Sequence, residues 1–133
     1  MSEGGVHGVV VAHSDLARAL IQAVERIAGP AEDGALTALS NEGLGPDGIR
    51  ARLDELVGDG PAIVFADLRE GSCGLAARQV CLGAGDQRAL ITGVNLPVLL
   101  EFAMKRHLPL AELVPRLVDR GRAAIASGPE SRR

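Results

Sequence analysis

The stretch Val6-His7-Gly8-Val9-Val10-Val11-Ala12-His13-Ser14-Asp15-Leu16-Ala17-Arg18-Ala19-Leu20 holds the change of period that decides the fold. From Val6 to Ala12 the run is short and rich in β-branched residues, as in a strand buried on both faces of a parallel sheet. From Leu16 the period changes. Leu16, Leu20, Val24 and Ile27 recur at spacings of four, four and three, while Asp15, Arg18, Gln22, Glu25 and Arg26 fall on the other side, which predicts an amphipathic helix. Ser14 is its expected N-cap and Gly29-Pro30 its stop.

The same alternation continues down the chain. Ala35 to Leu39 predicts a second strand, Asn41 to Gly45 a glycine-containing loop, and Asp47 to Val57 a second helix with Ile49, Leu53, Leu56 and Val57 inward. Pro61 to Ala66 reads as a third buried strand running into the polar turn Asp67-Leu68-Arg69-Glu70-Gly71-Ser72. A helix from Cys73 to Leu82, a strand from Arg88 to Thr92, and helices over Pro97–Arg106 and Leu110 to about Arg120 follow. Strands alternating with helices of this length require right-handed βαβ crossovers. The expected fold is therefore α/β: a doubly wound, mostly parallel four-stranded sheet in the flavodoxin-like order 2-1-3-4, with helices on both faces. Residues 1–133 form one domain with its core in 6–126, and the tail from Ser127 is expected to be disordered.

Composition narrows the function. With 14 Lys plus Arg against 17 Asp plus Glu, and no Trp or Tyr, the chain has neither a basic stripe nor stacking platforms, which argues against nucleic-acid binding. No apolar stretch approaches the ~20 residues of a membrane span, and Met1 to Gly5 lacks the basic region of a signal peptide, so a cytoplasmic protein without membrane insertion is expected. Cys73 and Cys81, eight residues apart on one expected helix, suit neither a disulfide nor a zinc knuckle and read as reduced thiols.

In an open parallel sheet reactive groups gather beyond the carboxyl ends of the strands where the winding reverses, here between strands one and three. His13 follows the first of these and Asp67 the third, so the fold unites residues 54 positions apart. A carboxylate accepting from Nδ1–H fixes the imidazole tautomer and leaves a lone pair on Nε2, a nucleophile. At the amino end of a helix, N–H groups stabilise an attached phosphoryl anion. Gly71 and Ser72 add donors at the start of the third helix.

The plainer readings are a histidine capping a turn, an aspartate starting a helix, and Ser72 as an N-cap. His7, within a strand, and His107, at a helix end, are weaker candidates. Cys73 stands at a helix amino end, where a thiol pKa can fall, although a small buried thiol is the commoner outcome. Ser72 lacks a G-x-S-x-G elbow, and the glycines at 43, 45, 48, 83 and 85 form neither a P-loop nor a dinucleotide fingerprint. No group of His, Cys and carboxylates has metal-ligand spacing in sequence, and no cofactor or metal is expected.

Three segments carry a resemblance. Val9 to Leu20 looks like the strand, phosphorylated histidine and Leu-Ala helix of the enzyme IIA components of the mannose-type sugar phosphotransferase system of bacteria. Asp67-Leu68 with Gly71-Ser72 is similar to that family's Asp-Leu-Phe-Gly-Gly-Ser turn, and Thr92-Gly93-Val94-Asn95-Leu96-Pro97 matches its signature at every position. The resemblance spans about residues 6 to 126. It implies that His13 is phosphorylated, that Asp67 orients it, and that Ser72 helps hold the phosphoryl group. The implied route runs from phosphoenolpyruvate through enzyme I and the histidine carrier HPr to His13, then to a separate EIIB protein. It further implies a homodimer in which a final antiparallel strand, corresponding to Arg122–Ala126, is exchanged between subunits.

Two departures bear on partners. Arg69-Glu70 stands where the family usually has Phe-Gly, and Cys73 where Pro is usual. A charged pair at the mouth of the site would alter docking. The alternative is a regulatory protein charged by HPr without onward sugar transport. The related phosphotransfer subunit of dihydroxyacetone kinase is disfavoured by the Thr-Gly-Val-Asn-Leu-Pro match. Sugar recognition in such systems belongs to membrane components.

Overall fold

A computed structural model describes residues 5–30, 32 and 34–129. The elements alternate as expected: β1 (His7–Ala12), α1 (Leu16–Ala28), β2 (Leu36–Ser40), α2 (Pro46–Val57), β3 (Ala62–Ala66), α3 (Gly71–Cys81), β4 (Arg88–Thr92), α4 (Leu96–Lys105) and α5 (Leu110–Ala123). The four strands are all parallel in the order β2-β1-β3-β4. Register places Val9 beside Thr37 on one side and Val64 on the other, so β1 and β3 lie inside the sheet and β4 forms an edge.

Strand alternation then sorts the core into two layers. Val10, Ala12, Ile63 and Phe65 pack with Ala17 and Val24 of α1, Leu99 and Phe102 of α4, and Leu113 and Leu117 of α5. Val9, Val11, Val64 and Ala66 pack on the opposite face with Ile49 and Leu53 of α2 and Ala76, Ala77 and Val80 of α3. Phe65 and Phe102 meet edge to face, ring centroids 5.2 Å apart. No helix among the described residues is long and apolar enough to cross a membrane.

Several local expectations change. The inward stripe of α1 is Ala17, Leu20, Ile21 and Val24. Leu16 and Ile27 are exposed, because the residues three and four apart on the sheet side centre on Ala17 and Val24. Asp15 rather than Ser14 is the N-cap of α1, since Ser14 adopts a left-handed backbone, φ 57°, and its hydroxyl makes no cap bond. Helix α3 begins at Gly71, two residues early, so Ser72 lies inside its first turn and Glu70 is the N-cap. Arg122 and Ala123 close α5, while Ile125 and Ala126 have no regular structure; the single chain thus ends this segment as helix and coil, without a fifth strand among the described residues. Of the tail, Ser127 to Pro129 are exposed coil and 130–133 lie outside the described residues.

The Thr92 to Pro97 signature is largely structural. Asn95 Oδ1 accepts from the Val98 N–H at 3.1 Å, capping α4, and its Nδ2 donates to the Gly121 carbonyl of α5 at 3.2 Å. The Asn95→Ala variant is expected to lose about 2 kcal/mol, the sum of a lost cap and an unpaired carbonyl. Urea unfolding followed by far-UV circular dichroism checks this, and an unchanged midpoint would refute the clasp.

Candidate functional site

The site is built from three connections at one end of the sheet. Val11 pairs with Ala66, so the residues just past the ends of β1 and β3 emerge side by side. The Asp67 N–H donates to the Val11 carbonyl at 3.3 Å. Its Oδ2 in turn accepts twice from His13, from the backbone N–H at 3.0 Å and from ring Nδ1 at 2.9 Å. One carboxylate oxygen thus holds both the main chain and the ring. A carboxylate oxygen can only accept, so Nδ1 carries the proton and Nε2 of the neutral ring keeps its lone pair. The His13 side chain is 41% exposed and that of Asp67 10%. Asp67 Oδ1 is buried with no hydrogen-bond partner among the described residues, which for a buried acceptor costs about 1–3 kcal/mol.

The turn after His13 is strained, and its holder was not apparent from the sequence. Ser14 is the only described residue other than glycine with positive φ. Such a conformation costs of order 1–3 kcal/mol and persists where surroundings enforce it. Here Asn41, past β2, accepts the Ser14 N–H on Oδ1 at 3.0 Å and donates its own N–H to the Ala12 carbonyl at 3.1 Å. The available signal was topological: β2 lies beside β1, so the residue after β2 must meet the residues after β1.

The helices that start beside the site are left uncapped. Neither Asp15 of α1 nor Glu70 of α3 makes a side-chain cap bond, in contrast to Asn95 of α4. First-turn N–H groups without such a partner are donors for an anion. Gly71 opens α3 with φ 89°, a conformation that favours glycine. Ser72 is half-buried in that first turn, next to Cys73.

The fold also gathers what sequence spacing did not indicate. A ring nitrogen of His13, a carboxylate oxygen of Asp67 and Sγ of Cys73 all lie within 4.8 Å of one another. Cys73 is fully buried, and burial, reinforced by the negative charge of Asp67 and opposed by the Ser72 hydroxyl, pushes its thiol up to about 11. The lowered pKa a helix amino end could produce is therefore not realised. Cys81 is likewise raised to about 11, by burial against the opposing charge of Arg88, and both thiols are free.

The other histidines lie elsewhere. His7 Nε2 meets Thr37 Oγ1 at 3.1 Å across β1 and β2, with its pKa lowered by burial first. His107 faces Glu32 at 3.7 Å beyond α4.

Solved structures share the fold over nearly the whole chain. A phosphotransferase system component EIIA from Streptococcus agalactiae superposes with a TM-score of 0.84 at 21% identity, covering 92% of this chain and 96% of that one. The mannose/sorbose specific IIA subunit from Enterococcus faecalis gives 0.83 at 24% identity, covering 96% and 98%. A PTS IIA protein associated with the fucose utilization operon of Streptococcus pneumoniae gives 0.76 at 21%, covering 96% of each chain. No curated protein matches the chain significantly. A family model described as the PTS system fructose IIA component matches residues 8–117, which contain His13, Asp67, Ser72 and the Thr92 to Pro97 signature. The chain therefore belongs to the mannose-type EIIA family of the sugar phosphotransferase system, and its role lies in phosphotransfer.

Proposed function

We propose that the protein is a phosphocarrier in which His13 takes a phosphoryl group from phospho-HPr and passes it to a separate EIIB protein in the cytoplasm. The observation that carries this reading is the double hold of Asp67 Oδ2 on His13, which leaves Nε2 free on a half-exposed ring. The Nε2 lone pair attacks phosphorus in line, the new N–P bond forms as the donor's N–P bond breaks, and the donor imidazole leaves with the electron pair. The proton stays on Nδ1 throughout, donated to Asp67 Oδ2, and the carboxylate offsets the positive charge the ring gains as the N–P bond forms. Uncapped N–H groups at the starts of α1 and α3, with the Ser72 hydroxyl, meet the phosphoryl oxygens. Transfer to EIIB is the same displacement with the partner as nucleophile.

Incubation with phosphoenolpyruvate, enzyme I and HPr, followed by intact-mass analysis, tests the reading. One acid-labile phosphoryl adduct is expected in the wild type and none in His13→Ala. A folded wild type without an adduct would overturn it.

Leu68, Arg69 and Glu70 are exposed on the turn that carries Asp67, where a docking protein would meet them. Arg69→Phe combined with Glu70→Gly is expected to change transfer rates to or from partners while leaving the thermal midpoint in place. Unchanged rates with both partners would remove this turn from the docking surface.

The working unit in this reading is a homodimer. A groove of about 280 Å³ between edge strand β4 and the end of α5, lined in part by Leu90, Thr92, Gly121 and Ile125, offers the place for a strand from a second copy. Light scattering on the eluting protein reports the mass directly, and a monomer at all concentrations would exclude the exchange.

A further inference from the structure

We propose that His13, Asp67 and Cys73 form a binding site for zinc, and that zinc and the phosphoryl group compete for His13. The metal site stands on geometry alone; the competition rests on the phosphocarrier reading above.

The ligand atoms of the three residues, all within 4.8 Å of one another, come from the ends of β1 and β3 and the first turn of α3. In a tetrahedral zinc site with bonds of about 2.0–2.3 Å, ligand atoms stand roughly 3.3–3.8 Å apart, so the triangle closes with side-chain movements of about an ångström. A second observation points to a cation. Asp67 Oδ1 is buried with no hydrogen-bond partner among the described residues, and its side chain is nine-tenths buried. Asp67 thus brings to the cluster a carboxylate whose Oδ2 already meets the His13 ring and whose other oxygen has acceptor capacity to spare, a group suited to positive charge.

Donor chemistry selects the metal. Imidazole, carboxylate and thiolate together suit zinc, whereas magnesium and calcium require oxygen donors. Three protein ligands leave a fourth position, and the exposed side of the His13 ring opens it to water. On binding, the Cys73 thiol proton leaves to solvent as the Zn–S bond forms, and the thiolate and carboxylate together offset the metal charge.

Whichever ring nitrogen the metal takes, phosphorylation is blocked. On Nε2 it occupies the attacking lone pair; on Nδ1 it replaces the Asp67 hydrogen bond that orients the ring. By linkage, a phosphorylated His13 binds zinc correspondingly more weakly.

Calorimetric titration of the reduced, metal-free chain with zinc, with cobalt as the spectroscopic stand-in, tests the site. The near-UV is clear for a thiolate-to-cobalt band because the chain has no Trp or Tyr. One zinc per chain is expected, with no binding of magnesium. Cys73→Ser is expected to lose the cobalt band and to bind zinc about tenfold more weakly or worse, since even outer partners of metal ligands cost that much. Cys81→Ser, about two helical turns further along α3, should keep both. Absence of zinc binding, or an unchanged affinity in Cys73→Ser, overturns the site.

In the phosphoryl-adduct assay, the zinc concentration that halves adduct formation should rise about tenfold or more in Cys73→Ser. Equal inhibition of both proteins overturns the competition. If no adduct forms even without zinc, the phosphocarrier reading fails, and calorimetry still decides the metal site.

Discussion

The Asp67→Asn variant is expected to accept a phosphoryl group from HPr about 10²- to 10⁴-fold more slowly than the wild type while remaining folded, the range set by loss of a positioned acid-base partner or of its tautomer control. In the wild type one oxygen, Asp67 Oδ2, accepts from both the backbone N–H and Nδ1 of His13. An asparagine amide carries one oxygen and one NH₂ group. Turned one way, it still accepts from His13 but buries an amide nitrogen where Oδ1 has no partner. Turned the other way, it presents N–H to the backbone N–H, which breaks that bond, and it can hold the ring only in the tautomer that carries the proton on Nε2. Neither orientation holds the ring with a negative charge, so the proton on Nδ1 is no longer pinned and Nε2 spends less time as the free base. Rapid-quench measurement of adduct formation gives the rate, and circular dichroism confirms the fold. A rate within about threefold of wild type would show that Asp67 does not position His13.

The Gly74→Ala variant is expected to lose about 3 kcal/mol of stability, the upper part of the range for overpacking, and to slow phosphoryl uptake as well. A Cβ at Gly74 would lie 2.2 Å from the Arg69 carbonyl oxygen, 2.6 Å from its carbon and 2.7 Å from the Leu68 carbonyl oxygen. All three are backbone atoms, so no side-chain rotation relieves the overlap. Helix α3 must withdraw from the turn that follows β3. That turn begins with Asp67, and the first turn of α3 carries Ser72 and Cys73, so withdrawal opens the site as well as the packing. Urea unfolding measures the first effect and the adduct rate the second. A variant with wild-type stability would mean that the turn tolerates displacement, and the close approach of α3 would not be what sets the site.

The architecture and the central pair follow from the order of residues alone. The β-branched runs, the four-four-three helical spacing and the lengths between them leave a right-handed parallel winding as the arrangement that buries both faces of the strands. That winding dictates where β1 and β3 end, which is enough to bring His13 to Asp67. Both steps depend on local periodicity and on chain handedness, and both are legible in the order of residues.

The remaining features depend on register and on the path of individual turns, which periodicity does not encode. The left-handed Ser14 arises because Asn41, 27 positions away, holds its N–H. Asn95 grips Gly121 across 26 positions because α5 crosses the start of α4 at the distance a glycine permits, a Cβ there falling 2.5 Å from Val98 Cγ2. Cys73 joins His13 and Asp67 because α3 begins at Gly71 and its first turn presses on the Arg69 carbonyl. A shift of one residue in any of these starts would turn the side chain to another face of its helix, since each residue advances the helix by about 100°. Only tertiary packing chooses among those starts, because the competing local arrangements differ by less than the burial that selects one of them.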